Sequence, residues 1–143
     1  MVQITEFRPG DRIAASSLTI GANAINEDIE AVEESSGYFA QNSPGAVAPP
    51  LACVGLAMAA SLKEVEFPEG AIHLSQEIRL SKPVRIGQTL YCRSSLMQDL
   101  RRRNMRIITI RLEVDDNNGE ELIDGKTSFM LSERKSSFSQ DDR

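Results

Sequence analysis

The chain has 143 residues and a net charge of −5, and 41% of its residues are hydrophobic. This length suits a single domain, which buries roughly two-thirds of the surface that its unfolded chain exposes. The net negative charge argues against a nucleic-acid partner. The longest apolar run, residues 51–60, is shorter than the roughly 20 residues that a membrane-spanning helix needs. The amino-terminal sequence has no basic-then-apolar signal pattern, and both cysteines have apolar neighbours. We therefore expect a cytoplasmic protein with reduced thiols and no membrane partner.

The first two elements predicted along the chain are a strand and a short helix. Residues 13–20, IAASSLTI, form a weak strand pattern that Gly21 closes. Asn26 then precedes two acidic residues, and a capping side chain followed by acids in the first turn predicts a helix start. This helix is short and mostly polar, so we expect it to lie on the surface and to end at Gly37.

A second helix is predicted over residues 51–62, LACVGLAMAASL, where the pair Pro49-Pro50 opens it. The helix is apolar on every face, and such a helix must be surrounded by protein. In a chain of this size, the natural cover is a sheet that curls round it. The sequence therefore predicts a fully enclosed central helix.

From residue 71 onwards the apolar residues recur with a period of two, which marks strands. Four strands are predicted, over residues 71–80, 89–97, 107–114 and 121–131. Asn118-Gly119 is a strong hairpin signal between the last two. The fold class expected is α+β, with an antiparallel meander of three or four strands wrapped around one buried helix. Residues 1–132 form one domain in this interpretation, and the polar tail, residues 133–143, is flexible.

Three segments together resemble one protein family. Residues 71–96, AIHLSQEIRLSKPVRIGQTLYCRSSL, resemble the segment of MaoC-like hydratases and FAS1-type dehydratases in which a strand runs into a turn with Pro, Gly and Asp or Gln. Residues 47–59, VAPPLACVGLAMA, resemble the central helix of that family with its Pro-Pro entry, and residues 26–37 resemble the helix before its catalytic loop.

The resemblance implies a hot-dog fold and a concrete chemistry. Members of the family hydrate 2-enoyl thioesters of CoA or acyl carrier protein, or dehydrate the 3-hydroxyacyl form. The acyl chain lies beside the buried helix, whose amino terminus faces the thioester carbonyl, and a positive helix end stabilises a developing enolate. CoA or phosphopantetheine then enters as part of the substrate, with no separate cofactor. The implied partners are an acyl thioester and a second hot-dog subunit, in a homodimer or heterodimer joined edge to edge.

The sequence departs from that family where catalysis would occur. Active hydratases carry Gly-Asp-x-Asn-Pro-x-His after the surface helix, but here Tyr38 stands in place of the Asp and Ser43 in place of the His. Neither side chain supplies a base near neutral pKa unaided. The helix entry also has Pro50, which lacks an N–H group, so the carbonyl donor would be Leu51 or another exposed amide.

Two interpretations follow from these departures. In the favoured one, the chain is a non-catalytic subunit that shapes an acyl tunnel for a competent partner. In the other, it is an enzyme with a rearranged site that uses loop residues, the only histidine or a residue of a second chain. The candidate catalytic residues are Tyr38, Asn42 and His73. The candidate substrate-binding residues are Gln41, Ser43, Val47, Ala48, Pro49, Pro50, Leu51, Arg101, Arg102 and Arg103.

Several of these candidates also have plainer structural explanations. His73 shares the polar side of its strand with Ser75, Glu77 and Arg79, which favours a partly exposed histidine over a catalytic one. Cys53 is expected to be a buried structural thiol. With one histidine and no Cys/His cluster, we expect no metal site.

The arginines of residues 101–106 crowd one hairpin of an otherwise acidic chain. They suit a clamp for CoA phosphates or for the acidic face of a carrier protein, and they equally suit a solvated turn.

Two other functions remain open at this point. A hot-dog thioesterase usually places a carboxylate on or beside the central helix, and residues 51–62 contain none. A non-enzymatic acyl-CoA-binding module needs no catalytic group at all.

Overall fold

The computed structural model describes residues 1–21 and 46–132. Over these ranges the helix and strands are, in chain order, β1 (Val2–Gln3), a 3-10 turn (Ile4–Glu6), β2 (Arg12–Thr19), α1 (Pro50–Leu62), β3 (Val65–Glu66), β4 (Ile72–Leu80), β5 (Thr89–Arg102), β6 (Met105–Asp115) and β7 (Glu121–Ser132). The predicted surface helix at residues 26–37 and the predicted tail at residues 133–143 lie outside the described residues.

The main sheet has five antiparallel strands in the order β2-β5-β6-β7-β4, and β1 and β3 form a separate parallel pair. The meander therefore contains three strands, β5 to β7, the smaller of the two predicted numbers. Because β2 occupies the other edge of β5, β4 joins the sheet at β7 instead. This α+β arrangement, one helix packed on a five-stranded antiparallel sheet, is the hot-dog fold that the sequence predicts.

The core lies between α1 and one face of the sheet. The first half of the helix packs on one cluster that includes Leu90, Leu112 and Ile78, and its last turn packs on a second that includes Ile108 and Phe129. Ile78 is near the end of β4, whereas Phe129 pairs with His73 at the start of β4. The helix therefore runs in the direction opposite to β4.

The described residues do not enclose α1 on every face, so for this part of the chain the prediction is wrong. Leu51 is 67% exposed, and Gly55 and Ala59, four and eight residues further on, are exposed as well. Positions four apart lie on one side of a helix, so α1 is open along a stripe. Among the described residues, the sheet covers only the opposite side, where Ala52, Cys53, Val54, Ala57 and Ser61 are buried.

The predicted alternation of β4 is interrupted, and among the described residues the strand lies at an edge of the sheet with a neighbour on one side only. Its register with β7 shifts between His73 and Ser75, which inserts Leu74 as a bulge. Residues before and after a bulge exchange faces, because side-chain direction alternates with every residue. The apolar residues of the strand therefore do not share one buried face, and Ile72, Leu74 and Leu80 are 51%, 47% and 41% exposed.

Candidate functional site

The segment leading into α1 is fixed by a short antiparallel contact with the segment before β5. Val47 pairs with Arg85 in an isolated bridge, and the Ala48 N–H donates to the Val84 carbonyl at 2.8 Å. Ala48 is buried and Val47 is half-buried. These backbone bonds give the predicted substrate-binding residues at the helix entry a fixed position.

The first turn of α1 presents two amide groups outside the helical ladder. Pro49 is the N-cap in an extended conformation, and the first helical bond runs from the Cys53 N–H to the Pro49 carbonyl at 3.1 Å. Pro50 has no N–H, so the remaining first-turn donors are those of Leu51 and Ala52. Leu51 is largely exposed, while Ala52 is buried. The role of the Leu51 N–H as a donor to a thioester carbonyl stays a prediction.

A groove of about 350 Å³ lies between the second half of α1 and strands β4 and β7. Its helix wall is apolar and its sheet wall carries polar side chains. The residues that line it are Gly55, Met58, Ala59, Leu62, His73, Gln76, Thr127 and Phe129. A methyl group added at Gly55 would meet no atom within 4 Å, so the absence of a side chain there widens the groove.

Of the groove residues, the sequence singled out only His73 as a site candidate. The others belong to strand or helix patterns that look like ordinary core. The one available signal was Gly55, because a glycine inside a helix costs stability and usually has a packing or functional reason.

His73 faces the helix side of the sheet, not the outer side with Glu77 and Arg79. Its ring centroid lies 5.5 Å from that of Phe129, its partner in the β4–β7 register. Gln76, beyond the bulge, also lines the groove. The grouping of His73 with the polar outer residues was therefore wrong, because the extra residue at Leu74 reverses the alternation.

The arginine hairpin separates into buried and exposed members. Arg106 is 6% exposed, donates from Nε and Nη2 to the two oxygens of Asp99 at 3.0 and 2.8 Å, and reaches the Thr5 carbonyl at 3.2 Å. A guanidinium that is buried and held in this way ties the amino-terminal segment to the hairpin.

The other three arginines, Arg101, Arg102 and Arg103, are exposed. Arg101 is opposite Arg106 in the strand register and Arg102 is opposite Met105, so the side chains of Arg101 and Arg102 point to different faces of the sheet. Arg103 occupies the turn with a φ of +54°. Their role in binding phosphate or a carrier protein stays a prediction.

The outer face of the sheet carries a network of ion pairs. Arg111 donates two hydrogen bonds to Asp124 at 3.1 and 2.9 Å, and Arg93 donates one to Asp115 at 2.7 Å. The hydrogen bond from Arg111 lowers the pKa of Asp124, and the nearby charge of Arg79 lowers it further. Each of these carboxylates is paired with an arginine of the neighbouring strand, which makes them structural groups.

Both cysteines are buried, at 0% exposure for Cys53 and 1% for Cys92. Burial raises the pKa of the Cys92 thiol to about 11. The burial of Cys53 agrees with its predicted structural role. Among the described residues, no group of three or more His, Cys, Asp or Glu could hold a metal ion.

Four sequence candidates, Tyr38, Gln41, Asn42 and Ser43, lie outside the described residues. In the part of the chain that the structure describes, no helix is long and apolar enough to cross a membrane.

Residues 8–124 match the family described as the FAS1-like dehydratase domain region. The chain belongs to this family. A comparison with curated proteins finds no significant match.

Solved structures show the same fold at low sequence identity. One chain of the C-terminally truncated HadBC (3R-hydroxyacyl-ACP dehydratase) complex from Mycobacterium tuberculosis is 21% identical, with a TM-score of 0.67 over 80% of this chain and 90% of that one. The R-hydratase PhaJ1 from Pseudomonas aeruginosa is 19% identical, with a TM-score of 0.69 over 91% and 85%. A chain of the ChsH1–ChsH2 complex from Mycobacterium tuberculosis is 15% identical, with a TM-score of 0.62 over 87% and 98%. Two of these three relatives are complexes of two different subunits.

Proposed function

We propose that this chain is a subunit of an acyl-thioester hydratase or dehydratase and supplies walls of the acyl site rather than the usual acid–base pair. The observation that carries the proposal is the groove beside α1, which Gly55 and Ala59 leave open at the centre of a dehydratase-family fold. The substrates proposed are 2-enoyl or 3-hydroxyacyl groups carried on CoA or acyl carrier protein.

The helix wall of the groove suits a hydrocarbon chain. Met58 and Leu62 present flexible apolar side chains, while Gly55 and Ala59 leave room between them. Burial of one methylene group contributes about 0.8 kcal/mol, so four buried methylenes contribute about 3 kcal/mol. An acyl thioester is therefore expected to bind much more tightly than free CoA.

The separation of His73 from the start of α1 supports a non-catalytic role within one chain. His73 lines the groove with Leu62, the last residue of the helix, whereas the first-turn amides lie at Leu51 and Ala52. At 1.5 Å per residue, positions 51 and 62 are about 16 Å apart along the axis. Because His73 stacks on Phe129, which packs in the cluster with Leu62, we expect the only imidazole of the chain to lie nearer the end of α1 than a thioester carbonyl held at the helix start.

The open edge of β4 supports a paired arrangement. Unpaired backbone groups and exposed apolar residues on an edge strand form a template for another strand. A second hot-dog chain joined along β4 would cover Leu74 and Leu80 and would approach the open stripe of α1. In the proposed enzyme, this second chain is a related one that carries the Asp and His.

The test is co-expression with a related chain that carries the intact pair, followed by native mass measurement and a crotonyl-CoA hydration assay. We expect the two chains to form one complex that hydrates crotonyl-CoA, while this chain alone binds acyl-CoA without hydrating it. Hydration by this chain alone, or release of free thiol from acyl-CoA, would contradict the proposal. A complex whose activity is the same without this chain would contradict it as well.

A further inference from the structure

The sheet wall of the groove carries three polar side chains, His73, Gln76 and Thr127. Gln76 and Thr127 face each other in the β4–β7 register, and His73 lies nearer the end of α1. Within residues 1–21 and 46–132, none of these three side chains makes a hydrogen bond or an ion pair. Thr127 is only 4% exposed, so its hydroxyl has little access to water outside the groove.

Polar side chains on the other face of the same sheet do have partners. Arg79 donates to Asp124 at 3.1 Å, and the hydroxyls of Thr109 and Ser128 share a hydrogen bond of 2.9 Å. Thr109 is 8% exposed, which makes it a close match to Thr127 in residue type and burial. The sheet satisfies the hydroxyl of Thr109 and leaves that of Thr127 to the groove.

The strand register explains why Thr127 finds no partner within the sheet. Its neighbours across the strands are Gln76 on β4 and Ile110 on β6. Gly125 and Phe129, the next residues on the same face of β7, have no polar side-chain group. A buried hydroxyl without a hydrogen bond costs free energy, and native proteins rarely keep one without a reason. The groove beside Thr127 is where its partner can bind.

We infer that the acyl group bound in this groove carries a hydroxyl group, which Thr127 and Gln76 bind together. This inference rests on the proposed function and adds the class of substrate. A hydroxyl both donates and accepts, so it can accept the hydrogen bond of the Thr127 hydroxyl and donate its own to the amide oxygen of Gln76. The apolar helix wall opposite contacts the hydrocarbon part of the same chain.

The Gln76–Thr127 pair lies opposite the middle of α1. Ile78, two residues after Gln76, packs with the first half of the helix. Phe129, two residues after Thr127, packs with its last turn. The pair lies between these two levels, where the groove is open towards the helix.

This level is beyond the reacting carbons of the substrate. At 1.5 Å per residue, Leu56 at the centre of α1 lies about 8 Å along the axis from Leu51, where the proposed function places the thioester carbonyl. The 3-hydroxyl of a dehydratase substrate stays next to that carbonyl and does not reach Thr127. The hydroxyl inferred here is therefore a second one, on a carbon farther along the acyl chain.

The test compares decanoyl-CoA with monohydroxydecanoyl-CoA esters that carry the hydroxyl at successive positions from carbon 5 to carbon 9. Titration calorimetry on the full chain gives the dissociation constant of each ester. We expect at least one hydroxy ester to bind about tenfold more tightly than decanoyl-CoA, because its hydroxyl bonds to groups that are otherwise unpaired. If every hydroxy ester binds as weakly as decanoyl-CoA or more weakly, the inference is overturned.

Two variants and a matched control assign the preference to the pair. Thr127→Val removes the hydroxyl and keeps a β-branched side chain, and it should bind all the esters about as tightly as decanoyl-CoA. Gln76→Leu, at an exposed position, should lose the preference as well and decides the matter where Thr127→Val does not fold. Thr109→Val, the control on the outer face, should keep the preference. A preference that survives the loss of the Thr127 hydroxyl would overturn the inference.

Urea denaturation separates a ligand-binding hydroxyl from a structural one. Thr127→Val removes a hydroxyl with no bond in the described part of the chain, so the free energy of unfolding should stay the same or rise. Thr109→Val loses the bond to Ser128, so the free energy of unfolding should fall. An equal fall in both variants would show that the fold itself uses the Thr127 hydroxyl, which contradicts the inference.

The binding data also separate this inference from the proposed function. Binding of decanoyl-CoA without any preference for a hydroxy ester contradicts the inference alone. No binding of any of these esters contradicts the proposed function, and the inference falls with it.

Discussion

Arg106 and Asp99 form a two-bond ion pair across the β5–β6 hairpin, at 3.0 and 2.8 Å, with side-chain exposures of only 7% and 11%. The same guanidinium also reaches the Thr5 carbonyl. One side chain therefore joins the hairpin to the amino-terminal segment. In a sequence with four neighbouring arginines, this is the one that the fold uses for its own stability.

Loss of this pair should destabilise the fold substantially. Arg106→Ala leaves Asp99 largely buried, with the more distant Arg101, 3.8 Å away, as its charged neighbour in the described part of the chain. We expect a loss of about 3 kcal/mol in the free energy of unfolding, measured by urea denaturation. Arg101→Ala is the matched control and should cost less than about 1 kcal/mol, since its side chain is 59% exposed. An equal loss of unfolding free energy in the two variants would show that the buried Arg106–Asp99 pair contributes no more to stability than the exposed Arg101.

The width of the groove should depend on Gly55. Gly55→Leu projects a side chain into open space and should weaken acyl-CoA binding about tenfold or more, measured by titration calorimetry. Gly55→Ala is the control, because it adds only a methyl group. It should raise the free energy of unfolding by about 0.5–1 kcal/mol through helix propensity and keep most of the affinity. Unchanged binding in Gly55→Leu would mean that the acyl chain lies elsewhere.

Substitution of His73 tests whether this residue only lines the groove or acts as a general base. In the complex with a competent chain, His73→Gln should leave kcat for crotonyl-CoA hydration within about twofold, since removal of a general base costs roughly a hundredfold or more. Contacts with the acyl chain should change, so KM is the parameter expected to respond. A hundredfold fall in kcat would instead support the rearranged active site.

The ion pair of Asp124 should make stability fall in acid. The folded-state pKa of this carboxyl is lowered below its ordinary value of 3.8, chiefly by the hydrogen bond from Arg111. A lowered pKa contributes stability that is present above the unfolded value and is lost as the pH falls through the folded value. The melting temperature of the wild type should therefore exceed that of Asp124→Asn at pH 6, and the difference should shrink below about pH 3.8. A difference that is constant down to pH 2 would show that the charge contributes nothing.

The sequence by itself determined the elements and the family. An apolar run with a Pro-Pro entry predicts α1, since the prolines suit a first turn and the apolar side chains need a cover. The period of two predicts β4 to β7, because alternate side chains of a strand face opposite sides. Both signals depend only on neighbours along the chain, and for this reason they could be recognised without the fold. The combination of these segments also led to the dehydratase family.

Only the tertiary structure decided which side chains meet. A single bulge at Leu74 turns His73 towards the helix. The bulge is defined by the pairing of β4 with β7, and the alternation of polar and apolar residues along β4 alone does not show it. The position of β4 at the sheet edge depends on which strand occupies the free side of β5, a contact between residues about 75 positions apart. For the same reason Arg106 could not be separated from its exposed neighbours in advance. Long-range pairing, rather than local preference, assigns each of these residues its place.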